Sequence, residues 1–518
     1  MATMRESLII VLLNYKLIFL LVYPLLLIFL FSLDIFGAKS TGNAWLYITF
    51  LMIGFWILEP LPIGVTSLIP LVLFPLLAVL NTKKTCFNYF HDLNMTLIAA
   101  LLLGLSAEMC NLHTRTSLRI IKLVGFRYHL LSLFFTILTI AISMFFSNTT
   151  TTCFMMVIVK EVLHQMDDMG LAKMWLDEDQ QNPTHLTKGF YLGTAYMATI
   201  GGLGTLMGSG TNLAFHELVP TNFGVWFALN LLLIILTAVP TWAILQYWYL
   251  GWGRPSSRDS LAITFTTEEI EIANENLNKK LSQLEKWSHH EIFVLIIIIV
   301  SVVLLFLRRV TFMNPWPTWI TETKVGDATT LTIFTVLLFV VPSRPEFWHI
   351  YDKDESKRPI KTSPGLITWK WANQRMHWSL IFVMGGAFAL ADALDRNGYI
   401  KFWDYDALSY DKQIVGVLVT VVVMTQFMAN ADLVKIFVPL MVSIGKRFSD
   451  VPQMYYMLPV VWCCSFAFVL PVGTPPNAIV GVMGNIKTVE FVKIGLVVLL
   501  VAIVMMCAIF FLLVHRIW

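Results

Sequence analysis

Two short polar patches lie inside long apolar sequence. The first, Ser147-Asn148-Thr149-Thr150, is followed by Gly201-Gly202-Leu203-Gly204-Thr205 and Gly210-Thr211-Asn212. The second, Ala429-Asn430-Ala431-Asp432, is followed by Gly473-Thr474-Pro475-Pro476-Asn477. Ser and Asn side-chain oxygens and freed carbonyls suit a small hard cation. Thr hydroxyls and the N–H groups of helix amino ends suit a carboxylate. The glycines let backbone approach closely. Taken singly, such residues also kink helices or pack between them. Their recurrence in both halves points elsewhere. Irregular backbone at membrane depth is tolerated only where protein or a water-filled cavity satisfies it. The pattern therefore predicts a transporter of two related halves around a central site.

The elements that must position these patches are membrane helices. The chain has 518 residues, 57% of them hydrophobic and 13% charged. Its mean hydropathy is +0.71. Soluble domains average about 25% charged residues, and many runs here reach the roughly 20 apolar residues that cross a bilayer. The net charge of +3 and the absence of a long basic stripe argue against nucleic acid. The run from Leu17 to Phe36 is too long for a cleaved signal peptide and reads as a first span. Cys153, Cys463, Cys464 and Cys507 lie in apolar runs and read as reduced. Nothing supports a disulfide between Cys86 and Cys110.

Apolar runs centred near residues 26, 51, 71 and 103 predict four spans. Arg115, Arg119 and Lys122 recur at helical spacing, which predicts a helix at the cytoplasmic surface. From His129 to Leu163 each arm around Asn148 is short for a crossing, which predicts a re-entrant hairpin. Residues 164–188 read as a loop, 189–216 as a span broken at 208–210, and 223–250 as a full span. Thr266 and Glu269 form a capping-box pattern before Ile270, Leu277, Leu281 and Leu284. This predicts an amphipathic helix over 266–286, along the membrane or against a partner subunit. Spans follow near 291–307, 326–342 and 376–394. A second hairpin over 414–444, a span broken at 473–477 and a last span at 488–514 complete the chain.

The expected fold class is an all-α polytopic membrane protein of about eleven transmembrane helices, two opposed re-entrant hairpins and an inverted repeat. Lys and Arg collect on the cytoplasmic side of membranes. That rule places inside the amino terminus, residues 113–128, residues 251–290 and the loop with Arg344, Lys353, Lys357, Arg358 and Lys361. The carboxyl terminus then lies outside, and Lys83 and Lys84 sit there against the rule.

The segment Cys464-Ser465-x-x-Phe468-x-x-Pro471-Val472-Gly473-x-x-x-Asn477-x-Ile479-Val480 resembles the signature of the divalent anion–sodium symporters, solute carrier family 13. Other matching segments are Trp56-x-x-Glu59-Pro60-Leu61-Pro62, Ala107-Glu108-Met109-Cys110-Asn111-Leu112-His113, Ile200-Gly201-Gly202-x-Gly204-Thr205 and Gly385-Gly386-x-Phe388-Ala389-Leu390. The resemblance covers nearly the whole chain and is strongest to Indy-like carriers of dicarboxylates and citrate. It implies a plasma-membrane homodimer whose transport domain moves like an elevator against a scaffold. On that reading residues 1–93 and 223–375 are scaffold, 94–222 and 376–487 are the transport halves, and 488–518 is the last span.

The resemblance also implies site residues. Asn148, Thr149, Thr211, Asn430, Thr474 and Pro475 would bind a carboxylate anion. Ser147, Asn148, Gly202, Asn212, Asn430 and Asn477 would bind cation, with Na+ at the first tip. The family's Ser-Asn-Thr tip is intact at Ser147-Asn148-Thr149 but reads Ala429-Asn430-Ala431 in the second half, so both hydroxyls are lost. Asp432 and Lys435 follow, three residues apart on one helix. Charges at this depth are costly and by default functional. The Lys435 ammonium is thus a candidate substitute for a second sodium ion, with Asp432 as its partner; a self-neutralising pair is the plain alternative.

Glu59, Glu108 and Asp392 lie near predicted span ends, where snorkelling or a helix-end hydrogen bond is the expected role and a proton relay the alternative. Asn94-Met95-Thr96 is a glycosylation sequon close to the bilayer. Asn148-Thr149-Thr150 also fits the sequon, at a depth that excludes its use. Trp316, Trp319 and Tyr351 read as interfacial anchors. No metal-protease spacing, nucleophile–base pair or phosphate-binding Gly-Lys-Ser/Thr loop occurs, so an enzyme is not expected and no cofactor beyond Na+ is implied. The leading expectation is a di/tricarboxylate transporter by symport or anion exchange. A sulfate carrier of the same family and a transport-inactive sensor are the alternatives.

Overall fold

The computed structural model describes residues 14–32, 40–219, 221–284, 286–309, 314–344, 351, 362–397, 410–446 and 453–514. Lys353, Lys357, Arg358, Lys361 and the amino terminus lie outside them. Helices dominate, and among the described residues the only bridges between extended segments are Trp175 with Pro183 and Pro342 with Gly365. A helix satisfies its own N–H and C=O groups, which apolar surroundings demand.

The first part contains α1 (Tyr15–Leu26), a 3-10 turn Leu27–Ser32, α2 (Ser40–Leu58), α3 (Ile63–Thr66), α4 (Ile69–Leu76), α5 (Thr82–Tyr89) and α6 (Asp92–Met109). The run centred near residue 71 is therefore not one long helix. Pro62, Pro70 and Pro75 lack the N–H that a continuous helix needs, and the chain breaks at Ser67-Leu68. Then come α7 (Leu112–Val124), α8 (Tyr128–Phe145), α9 (Asn148–Asp168), α10 (His185–Gly201), α11 (Gly210–Leu218), α12 (Phe223–Tyr249), a single turn α13 (Arg258–Leu261) and α14 (Thr267–Gln283). The second part holds α15 (His289–Arg309), α16 (Asp327–Val340), α17 (Trp369–Arg375), α18 (Ser379–Asn397), α19 (Tyr410–Met424), α20 (Asn430–Gly445), α21 (Gln453–Ser465), α22 (Pro475–Met483) and α23 (Thr488–Ile509).

The order of two helices meeting at a short break, a helix broken by a loop, then a long helix occurs as α8–α12 and again as α19–α23. The two sets interlock: α20 packs on α11, and α22 packs on α9 and α10. Among the described residues, six helices are long and apolar enough to cross a membrane, or seven if the pair α17–α18, bent by 62°, counts as one span. The expected figure of about eleven included shorter helices such as α16 and α19. Three boundaries also move. α9 runs on to Asp168, so the loop starts later than residue 164. The first broken helix is open over residues 202–209, wider than 208–210. The second is open over 466–474, so Asn477 sits inside α22.

The predicted capping box forms: Thr266 Oγ1 accepts the Glu269 N–H, and the Thr266 N–H donates to Glu269 Oε2. The apolar stripe of α14 buries Ala273 and Leu277, and the helix packs on α7 of its own chain. Its Lys280 Nζ donates to Gln165 Oε1 (2.7 Å) and Asp168 Oδ2 (3.1 Å) at the far end of α9. Gln165 Nε2 in turn donates to Glu161 Oε1, which also accepts the Thr114 hydroxyl of α7. Two amphipathic helices thus hold the end of α9 remote from Asn148.

Arg115 is a correction to the surface-helix expectation. It is buried, and its guanidinium holds Glu291 of α15 through two bonds, 2.8 and 3.1 Å long. Trp287 stacks under both Arg115 and Arg119. Spacing alone could not distinguish a solvated cation from one whose partner lies 176 residues away. Asn94 is also buried, its amide bonded to the carbonyls of Tyr89 and Ile381, which leaves no room for a glycan. Trp316 donates to the Leu304 carbonyl, whereas Trp319 and Tyr351 are exposed. All six cysteines are free thiols. Glu59 accepts the Thr488 N–H at the start of α23 (2.6 Å), and Asp392 pairs with Arg396 and Asn88, the helix-end roles expected of them.

Removing one member of a buried ion pair costs about 3–5 kcal/mol, whereas replacing both with apolar groups can be neutral. Arg115→Met should therefore lower the thermal midpoint sharply in detergent, and Arg115→Met with Glu291→Met should recover most of the loss. Digestion with a glycan-removing amidase should leave the electrophoretic mobility of Asn94-bearing protein unchanged.

Candidate anion and cation site

The two polar patches meet. One cavity of about 50 Å³ is lined by Ser147, Asn148 and Thr149 from the first break and by Ala429, Asn430 and Ala431 from the second. Gly210 and Thr211 at the start of α11, and Gly473, Thr474 and Pro475 at the start of α22, complete the polar part. Leu93 of α6 and Met384 and Phe388 of α18 form an apolar wall. All six residues expected to bind substrate line this cavity.

Four helices thus begin at one point. The first N–H groups of a helix lack internal partners, and the aligned peptide dipoles leave partial positive charge there. At α20 no side chain caps these groups among the described residues; at α9 Asn148 Oδ1 accepts the Thr149 N–H, at α11 Ser209 Oγ accepts from Asn212 N, and at α22 Pro475 and Pro476 carry no N–H, which leaves that of Asn477. The Thr474 hydroxyl is buried without a hydrogen-bond partner. The arrangement is built to receive negative charge.

The expected cation residues divide. Ser147, Asn148 and Asn430 line the cavity, whereas Gly202 in the first break, Asn212 in α11 and Asn477 in α22 do not. Asn212 Nδ2 donates to the carbonyls of Gly202, Leu203 and Thr205. Asn477 Nδ2 does the same for Ala467 and Leu470. Each amide pins its loop, and each Oδ1 is left buried with no donor. A buried oxygen with no donor is the kind of ligand a hard cation takes, which makes Asn212 and Asn477 candidates to hold one.

The second tip is poorer in oxygen. Ala429 and Ala431 supply none from side chains, and Asn430 Oδ1 already accepts the Thr425 hydroxyl at 3.0 Å. Lys435 Nζ lies 3.3 Å from Asp432 Oδ1, and neither residue lines the cavity.

Sequence reasoning missed the groups that hold the breaks in shape. Gln426 bridges the second loop: its amide donates to the Val422 and Phe466 carbonyls, and its oxygen accepts the N–H groups of Phe468 and Val469. Thr205 closes the first loop onto the Met144 carbonyl, and Ser143 donates to Ala198. A glutamine inside Val421-Val422-Val423-Met424-Thr425-Gln426 was the available signal.

Two glycines allow the breaks to dock on the tips. A Cβ at Gly208 would meet carbonyl oxygens of Gly202, Met144 and Ser143 at 2.7–2.9 Å. At Gly473 it would meet those of Gln426 and Thr425 at 2.6 and 2.9 Å. Overpacking of this kind costs about 1–3 kcal/mol. Gly208→Ala and Gly473→Ala should each weaken anion binding about tenfold or more while far-ultraviolet circular dichroism stays unchanged.

Comparison with known proteins is consistent with this geometry. Residues 12–515 match the family described as the sodium:sulfate symporter transmembrane region. The chain is 28% identical over 479 residues to "Protein I'm not dead yet" of Drosophila melanogaster, covering 87% of this chain and 81% of that protein. It is 31% identical to the "Na(+)/citrate cotransporter" of Rattus norvegicus, covering 87% of each. It is 28% identical to the "Na(+)/dicarboxylate cotransporter 3" of Mus musculus, covering 95% of this chain and 90% of that protein. These relatives are transporters and not enzymes. With a family match across nearly its full length, the chain belongs to the sodium:sulfate symporter family of integral membrane transporters, in the solute carrier family 13 branch that includes di/tricarboxylate carriers.

Proposed function

We propose that the protein is a secondary active transporter of di- and tricarboxylates of the succinate and citrate class. The single observation that carries this reading is the convergence of four helix amino ends and both polar breaks on one cavity. A substrate with two carboxylates can present one to each tip. Relatives named for citrate and dicarboxylate cotransport support the class.

The cavity of about 50 Å³ is well below the ~300 Å³ lower end of small-molecule sites. Entry of a dianion therefore needs the tips to separate from the wall of Leu93, Met384 and Phe388. That need supports alternating access, with the two breaks as re-entrant hairpins of a transport domain moving like an elevator against a scaffold. The working unit is a homodimer in the plasma membrane, amino terminus inside and carboxyl terminus outside.

Sodium coupling is reduced on this reading. Ser147 and Thr149 keep their hydroxyls at the first tip, but Ala429 and Ala431 offer none at the second. One cation accompanies the substrate; Lys435 is half-exposed and paired with Asp432 outside the cavity, so it neutralises Asp432 and does not replace a second sodium ion.

Uptake of radiolabelled succinate, citrate and sulfate into proteoliposomes tests the assignment. Succinate or citrate should be taken up, and Asn148→Ala should cut uptake at least tenfold, about 1.4 kcal/mol. Preference for sulfate would reassign the substrate, and binding without uptake would indicate a sensor. The sodium dependence should have a Hill slope near one. Ala429→Ser with Ala431→Thr should raise that slope, and Lys435→Asn should leave it near one. A wild-type slope clearly above one removes the single-ion reading.

A further inference from the structure

A second cavity lies on the same helices as the tip site. It measures about 260 Å³. Three helices line both spaces. α6 gives Leu93 to the first and Leu101, Gly104 and Glu108 to the second. α9 gives Asn148 and Thr149 to the first and Cys153, Val157 and Lys160 to the second. α22 gives Pro475 to the first and Met483 to the second. At about 1.5 Å rise per residue, the four-residue step from Thr149 to Cys153 is roughly 6 Å. The two cavities are therefore stacked along one seam, the larger toward the end that carries α7 and α14.

The charges around the larger cavity are unusual for such a seam. Lys160, Arg375, His377 and Glu108 all line it. Lys160 is half-buried and forms no hydrogen bond or ion pair among the described residues. The Arg375 guanidinium is 3.5 Å from the centroid of the Trp371 ring and has no carboxylate partner among the described residues. Stacking fixes its plane and leaves its N–H fork free for an oxyanion. Of the lining residues Glu108 supplies one negative charge against Lys160 and Arg375, both of which act on it, and Glu161 lies near enough to act on it as well. Neither Lys160 nor Arg375 is in direct ion-pair contact with Glu108 among the described residues, so each keeps donors for a second carboxylate.

We infer that this second cavity is an anion-binding antechamber for the carboxylate substrate, with Lys160 and Arg375 as its cationic pair. Its volume approaches the ~300 Å³ typical of the smallest ligand sites. Lys160 is eleven residues beyond Thr149 on α9, so a carboxylate held by it lies about three helical turns, roughly 16 Å, from the tips, and a fixed positive charge on that route raises the local anion concentration. The inference rests on reading the tips as a carboxylate site, and the test separates the two.

Equilibrium binding of radiolabelled citrate to the purified full chain in detergent is the experiment. Wild type should bind two citrates per chain, one more weakly. Lys160→Gln and, separately, Arg375→Gln should each remove the weaker site by a tenfold or greater loss of affinity and leave the tighter one. Lys160→Arg should retain both. Asn148→Ala should remove the tighter site and leave the weaker. Unchanged melting and gel-filtration profiles check folding, and Arg375→Gln, at an exposed side chain, serves if Lys160→Gln does not fold. A single citrate per wild-type chain overturns the antechamber, as does a weaker site that survives both Lys160→Gln and Arg375→Gln. If Asn148→Ala left both sites intact, the tip reading would fail while the antechamber stood.

Discussion

The structure depends on four helices ending at one place. A helix amino end is a demand for negative charge that water normally meets. Inside apolar surroundings, water reaches it only through a cavity. Bringing the starts of α9, α11, α20 and α22 together concentrates that demand in a volume too small for bulk solvent. The rest of the molecule supports this convergence: long helices flank it, loops are pinned behind it, and apolar side chains close its open face.

The pinning is chemical as much as steric. Asn212 and Asn477 each gather loop carbonyls with one amide nitrogen and keep the oxygen free. Gly208 and Gly473 each let a loop lie directly on the carbonyls of the neighbouring tip. These matched devices make the two halves alike where geometry matters. Their difference lies in oxygen count, since alanines replace the hydroxyl residues at the second tip. Similar backbones with unequal side chains can cradle the same dianion while holding cations unequally.

Much of this was legible in the sequence. Polar residues beside Gly and Pro in apolar runs located both breaks, because a helix interrupted in such surroundings must satisfy its freed backbone groups within the protein. The capping box at Thr266 and Glu269 was equally readable, being a local pattern. The partner of Arg115 was not, because a salt bridge to Glu291 is a fact of tertiary packing. Gln426 was overlooked for the same reason: three of its bonds reach 40, 42 and 43 residues along the chain. Among the described residues six or seven helices are long enough to span, and other expected spans fall on shorter apolar helices. Helices such as α3 and α4 are too short to cross alone, and hydropathy sums do not register a proline break. The charged cavity beside Lys160 was invisible because its four ionisable residues come from three separate stretches of chain.

The remote end of α9 is gripped by Lys280 and Thr114 through Glu161, Gln165 and Asp168. Displacement of the Asn148 end must either drag α7 and α14 along or exchange these bonds for water. The exchange is inexpensive at the exposed Lys280–Asp168 pair and dearer at buried Glu161. Both clamping helices are amphipathic. On the proposed alternating-access reading, anything that shifts these two helices is therefore felt at the Asn148 end through the clamp.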